Sequence, residues 1–172
     1  MLETHDDGAM NSLGPGPAFA SRCISPVYEL NMSMIPDISL KVQQDILIFD
    51  AWVRNSDRTL SELGGNPNLL WDGEKAHVID HNLIFEPELS TIDLRESHVF
   101  RGQLNNIFED YLLRDEFQTR MQSALTGWSG WWDTLPEEWI ELNDELQSLS
   151  QEQIYQQLEQ DAQGDIWKRL ST

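Results

Sequence analysis

Between Ser39 and Val53 the chain reads Ser-Leu-Lys-Val-Gln-Gln-Asp-Ile-Leu-Ile-Phe-Asp-Ala-Trp-Val, and its apolar residues do not keep to one face. Leu40, Val42, Ile46, Phe49 and Val53 recur at spacings of two to four, while Leu47, Ile48 and Trp52 fill another face. A helix that is apolar nearly all round is a buried helix, so the remaining chain has to be wrapped around this segment. Asp37 or Ser39 can cap its start by accepting a backbone N–H. Its end is expected near Arg54-Asn55, because Ser56-Asp57 and then Gly64-Gly65-Asn66-Pro67 are loop chemistry.

With 172 residues there is enough chain for one domain with a real core, and 40% hydrophobic residues with seven Trp argue for a folded protein. No run of eighteen apolar residues is present, which excludes a helical membrane span. The first residues lack the basic start and apolar centre of a signal peptide. Cys23, the single cysteine, has no internal partner and fits a reducing cytoplasm as an inert thiol. The formal net charge of −19 repels nucleic-acid phosphate and disfavours direct nucleic-acid binding. That charge also keeps open a reading as a non-catalytic acidic interaction protein.

Residues 1–18, rich in Gly and Pro, read as a flexible tail, and 19–172 as one domain entered near Phe19. Val27 to Ile35 is ambiguous between a short strand and a loop. Leu69-Leu70-Trp71, Asp72-Gly73 and Ala76 to Ile79 predict a tight hairpin with a primed turn. Leu83 to Leu94 reads as mostly irregular, with Pro87 blocking a helix. Helical spacing resumes from Val99 to Leu113 and from Asp115 to about Trp128. Pro136-Glu-Glu-Trp139 looks like a first helical turn, and Ser150-Gln-Glu-Gln153 like a capping box opening a final helix. The expected class is α+β, mainly α-helical, with a small hairpin. Trp128, Trp131, Trp132 and Trp139 are expected to be aromatic core between helices.

The chemistry concentrates in the loop and hairpin. In a kinase-type site one Asp accepts a hydrogen bond from the substrate hydroxyl and an Asn binds the metal. A second Asp bridges that metal to the ATP phosphates. Asp57, Asn68 and Asp80 supply these groups in that order. Asn68 opens the first hairpin strand and Asp80 closes the second, so strand pairing brings both to one end. Asn66 rivals Asn68, which is preferred because it directly precedes the strand. Singly, each residue has a plainer use: Asp57 as a turn residue paired with Arg58, Asn66-Pro67-Asn68 as a turn, Asp80 at a strand end. His77 belongs on the hairpin, His81 is expected to orient a neighbouring carboxylate, and no His/Cys cluster has zinc spacing.

Asn55-Ser-Asp-Arg-Thr-Leu, Gly64-Gly-Asn-Pro-Asn-Leu-Leu-Trp71 and Val78-Ile-Asp-His-Asn-Leu-Ile-Phe85 resemble the HipA-like kinase domain, a bacterial group related to HipA toxins and phosphatidylinositol kinases. Gly14-Pro-Gly-Pro-Ala-Phe-Ala-Ser-Arg22 and Pro136-Glu-Glu-Trp139 resemble it as well. The resemblance implies the C-terminal lobe of a kinase-like fold that uses ATP and Mg²⁺ to phosphorylate a hydroxyl, of serine or threonine. Asp57 would be the catalytic-loop aspartate, and Asn68 and Asp80 the metal and nucleotide ligands. Two departures stand out. The Asp57–Asn68 gap is longer than in a protein-kinase catalytic loop, so Ser61 to Asn66 has to loop out. None of Lys41, Lys75 and Lys168 is placed to bind the ATP phosphates. The expectation is therefore a lobe with little solitary activity, partnered by a separately encoded N-terminal lobe or a protein substrate, or a pseudokinase lobe.

Overall fold

A computed structural model describes residues 16–85, 91–141 and 149–171. Most of the N-terminal tail, Gly14-Pro15 and Pro87 lie outside the described residues. The body is mainly helical, with one small antiparallel sheet of order β1-β2-β3. Tyr28–Glu29 forms β1, which resolves part of the ambiguous segment, and Met32–Asp37 then makes a 3-10 turn that contains Pro36. Helix α1 is Leu40–Trp52. Of the two candidate caps it is Ser39 that serves, its Oγ accepting from the Val42 N–H at 3.4 Å. The helix stops where Arg54 takes a left-handed φ of 53°.

Strands β2 (Leu69–Trp71) and β3 (Ala76–Val78) pair in the register Leu69↔Val78 and Trp71↔Ala76. The connection is therefore the four residues Asp72 to Lys75, not a two-residue primed turn. The reason is local. Asp72 Oδ1 accepts both the Glu74 and the Lys75 N–H, at 2.8 and 2.7 Å, and this Asx-type turn widens the loop. Of its residues Gly73 alone needs positive φ, +96°.

Helix α2 (Thr91–Ser97) occupies a stretch expected to be irregular. A 3-10 turn at Arg101–Gln103 leads into α3 (Leu104–Glu109). The long helical stretch then breaks at Asp110, earlier than its spacing suggests. Asp110 is extended, and its carboxylate caps α4 (Tyr111–Leu125) by accepting the Leu113 N–H at 3.0 Å. Short helices α5 (Trp128–Trp132) and α6 (Glu137–Glu141) follow. Helix α7 (Gln151–Gln160) opens on a complete capping box, with Ser150 and Gln153 bonded reciprocally at 2.8 and 3.2 Å. A π-turn at Asp161–Asp165, eased by Gly164 at φ +111°, redirects the chain into α8 (Ile166–Ser171).

A single core joins Leu47, Ile48 and Ala51 of α1 to Leu69 and Trp71 of the sheet. Phe100, Ile107, Phe117, Met121, Ile166 and Leu170 complete it from the helical side. Burying each such side chain stabilises the fold by roughly 1.5–3 kcal/mol. Two expectations fail at the edges of this core. Helix α1 is not covered all round, because Leu40 is 60% and Phe49 41% exposed; α4 covers the Phe49 side only partly and leaves a groove of about 270 Å³. The tryptophans of α5 and α6 do not form core either. Trp131 is exposed, and the half-buried Trp128 and Trp132 meet at a tilt, 5.6 Å apart, with Trp128 also against Tyr155. Helices α1, α7 and α8 are cross-braced by Trp52 Nε1 donating to the Leu158 carbonyl at 3.0 Å and by Arg169 donating to the Ala51 carbonyl at 2.9 Å.

Candidate active site

A carboxylate in the middle of the apolar helix sets the geometry of the loop that follows it. Asp50 is fully buried, and a buried charge persists only when it is paired and hydrogen-bonded. Its partner is Arg58, also fully buried, whose Nε donates to Asp50 Oδ2 at 2.6 Å. This overturns the reading in which Arg58 pairs with its neighbour Asp57. His98 adds a third member. Its Nδ1 accepts the Phe100 N–H at 3.0 Å, which leaves Nε2 to carry the proton and donate to Asp50 Oδ2 at 3.0 Å. Asn55, buried as well, donates to Asp50 Oδ1 at 2.9 Å.

Burial alone would raise the Asp50 carboxyl, but the His98 hydrogen bond and the Arg58 charge outweigh it and hold it below the ordinary carboxylate value. Burial pushes His98 down, against the pull of Asp50, so its imidazole stays neutral.

From this hub the chain reaches the candidate residues. The Asp57 N–H donates to Asn55 Oδ1 at 3.1 Å, which fixes the backbone that presents its carboxylate. Asp57 Oδ2 then accepts two amide N–H groups, from Asn66 Nδ2 at 2.8 Å and Asn68 Nδ2 at 2.9 Å. The two rival amides thus share one carboxylate oxygen. The intervening residues do loop out, through a tight Ser61–Gly64 turn. The loop returns so closely that a Cβ on Gly65 would sit 2.6 Å from the Thr59 carbonyl oxygen.

Asp80 leaves the hairpin at the same end as Asn68. The Ile79 N–H donates to the Asn68 carbonyl at 3.0 Å, one step beyond the Leu69↔Val78 pair, so Asp80 follows directly on Asn68's partner. Asn68 and Asp80 both take left-handed backbone, φ 46° and 53°. Among the described residues the Asp80 carboxylate makes no hydrogen bond, nor does Asn68 Oδ1. A pocket of about 460 Å³ opens beside Asp80, with Phe19, Val78 and Ile79 on its apolar side and Ser21, His81 and Asn82 on its polar side.

His81 does not orient a carboxylate. Its Nε2 lies 3.4 Å from an Arg58 nitrogen and its ring meets Phe49 edge-on at 5.8 Å. Burial and then the Arg58 charge push its pKa down. His77 is on β3 as expected, bonded to Asp72 at 2.8 Å. Two of the three lysines are in exposed ion pairs, Lys41 with Glu116 at 3.1 Å and Lys168 with Asp165 at 2.6 Å, and Lys75 sits in the hairpin turn. Asp50 and His98 carried no sequence expectation, and Arg58 carried one only as a partner for Asp57. The signal available was a carboxylate inside the apolar run Ile46 to Val53, which has to find a cation.

The donor set fits a hard cation better than zinc. Among the described residues there is no group of three or more His, Cys, Asp or Glu side chains that could hold a metal. Amide and carboxylate oxygens at one hairpin end, with room for further oxygen ligands, are what Mg²⁺ takes. Because Asn68 donates its Nδ2 to Asp57, its amide is oriented with Oδ1 left to accept.

In comparison with known proteins, the family model described as HipA-like kinase matches residues 1–170. No curated protein matches the chain, and no solved structure does. The match covers nearly the whole sequence, and the chain belongs to the HipA-like kinase family.

Proposed function

We propose that the loop and hairpin are the metal- and base-bearing half of an ATP-dependent phosphoryl-transfer site, and that the helical body with its small sheet corresponds to the C-terminal lobe of a kinase-like fold. The observation that carries this reading is the convergence of Asn66 and Asn68 on the Asp57 carboxylate, with Asp80 at the same hairpin end. Asp57 would accept the proton of an acceptor hydroxyl, serine or threonine, and its two amide donors would aim it. Asn68 through Oδ1 and Asp80 through its carboxylate would hold Mg²⁺. When bound, that ion neutralises charge on the ATP phosphates. The pocket beside Asp80 has the volume and mixed lining of a small-molecule site.

The ATP lysine of kinase-type sites has no counterpart among Lys41, Lys75 and Lys168. In this reading a partner supplies it. The chain alone then binds Mg-ATP weakly and turns over very little. Calorimetric titration with Mg-ATP, on the wild type and on Asp80→Ala, tests the reading: weak binding that Asp80→Ala abolishes supports it. No binding by either protein favours the acidic interaction protein, and strong autophosphorylation by the chain alone contradicts the external lysine.

A further inference from the structure

The buried guanidinium of Arg58 hydrogen-bonds the backbone at the mouth of the hairpin. Its NH1 donates to the carbonyls of Pro67 at 3.3 Å, of Asn68, and of Ile79 at 3.5 Å. Those are the peptide planes that lead into Asn68, out of Asn68 and into Asp80. Asn68 and Asp80 are the two residues of the hairpin mouth held in left-handed backbone. A non-glycine residue stays in that conformation only where its surroundings over-determine it. The hairpin ladder supplies one constraint, the Ile79 N–H to the Asn68 carbonyl. Arg58 supplies the others, and Asp50 fixes Arg58 from the opposite side through both carboxylate oxygens, at 2.6 and 3.4 Å.

The geometry points to Arg58 as a positioning residue, which sets the aim of Asn68 and Asp80 by clamping the carbonyls between and beside them. It rests on the proposed reading of those two residues as metal ligands. Arg58 itself is fully buried and would act only through those two residues. Arginine is the residue for this task, because its planar fork serves a carboxylate on one edge and carbonyls on another. Lysine keeps the charge opposite Asp50 but has no fork.

The test uses the full chain as wild type, as Arg58→Lys, and as the neutral pair Asp50→Asn with Arg58→Gln. The two variants separate loss of the clamp from loss of the buried charge. Hydrogen exchange without ligand reads the clamp directly. The Ile79 amide and its neighbours in 67–81 should exchange about tenfold faster or more in Arg58→Lys, while α7 keeps its protection. Titration with Mg-ATP should show affinity reduced by about 10–100-fold, the usual cost of removing a group that orients a metal ligand. Unchanged exchange at Ile79 overturns the inference, as does wild-type Mg-ATP affinity in Arg58→Lys. If both variants lose the whole fold, Arg58 is a residue of global stability and the inference is overturned as well. Absence of binding by the wild type itself counts against the metal-site reading alone, and exchange at Ile79 then decides the role of Arg58.

Discussion

Replacing Asp50 by Asn changes one oxygen to a nitrogen at nearly constant shape, yet it should be among the most damaging single changes to this protein. Asp50 and Arg58 both have fully buried side chains, and among the described residues no other carboxylate is bonded to Arg58. The substitution leaves the guanidinium in the core facing backbone carbonyls and a neutral His98. Removing one partner of a buried ion pair costs about 3–5 kcal/mol, mostly the penalty of the stranded charge. For a domain of this size each kcal/mol moves Tm by about 2–4 °C, so a loss of roughly 4 kcal/mol lowers Tm by about 8–16 °C. Total stability of a domain is only about 5–15 kcal/mol, so the variant should fold but remain close to the edge. Thermal unfolding followed by far-UV circular dichroism at neutral pH reads the shift. The neutral pair Asp50→Asn with Arg58→Gln should recover much of it, since no charge is left unpaired. A fall of less than about 3 °C in Asp50→Asn would refute the reasoning, because the buried charge would then have another source of compensation.

Two further tests probe the same region. Gly65→Ala places a methyl 2.6 Å from the Thr59 carbonyl and 2.9 Å from Leu60 Cα, both backbone, so it should cost about 1–3 kcal/mol in urea unfolding. The pH dependence has a definite sign. His98 has its folded pKa lowered by burial, so the unfolded chain binds the proton first and stability is lost as pH falls below the ordinary value of 6.5. The limiting slope for one proton is about 1.4 kcal/mol per pH unit. His81, lowered too, adds to the loss in the same range, while Asp50 adds to it only in the carboxylate range and Asp161, raised chiefly by burial, opposes it there. Chemical denaturation at stepped pH should show the onset near 6.5 in the wild type and a shallower fall in His98→Gln, whose amide keeps a donor toward Asp50 without titrating.

What could be read from the sequence was what short-range chemistry decides. The capping box at Ser150–Gln153 and the cap at Ser39 depend on residues three apart, and both form. That Asn68 and Asp80 leave the hairpin at one end was legible because a hairpin brings its own ends together. The failures share another cause, since each turned on a partner distant in sequence or a competing local bond. The Asp72 carboxylate captured two N–H groups and widened the turn, and the Asp110 cap cut a helix that apolar spacing alone would run on. The tryptophans of α5 and α6 had the composition of a core, but they lie at its margin, with Trp131 exposed and Trp128 against Tyr155 of α7. Arg58 looked like a partner for Asp57 because the two are adjacent. Its true partner is Asp50 in the preceding helix, which also binds His98, a residue bridged to the loop by the Thr59↔His98 pair, and no window of sequence joins those.

In the proposed function Asn68 and Asp80 hold the metal of a nucleotide. Calorimetric titration of the full chain with Mg-ATP, repeated on Asp80→Ala after its Tm is shown to match the wild type, tests that claim most directly. Weak, magnesium-dependent binding in the wild type and its loss in the variant are expected. Binding that survives Asp80→Ala unchanged, or that does not need magnesium, would contradict the claim.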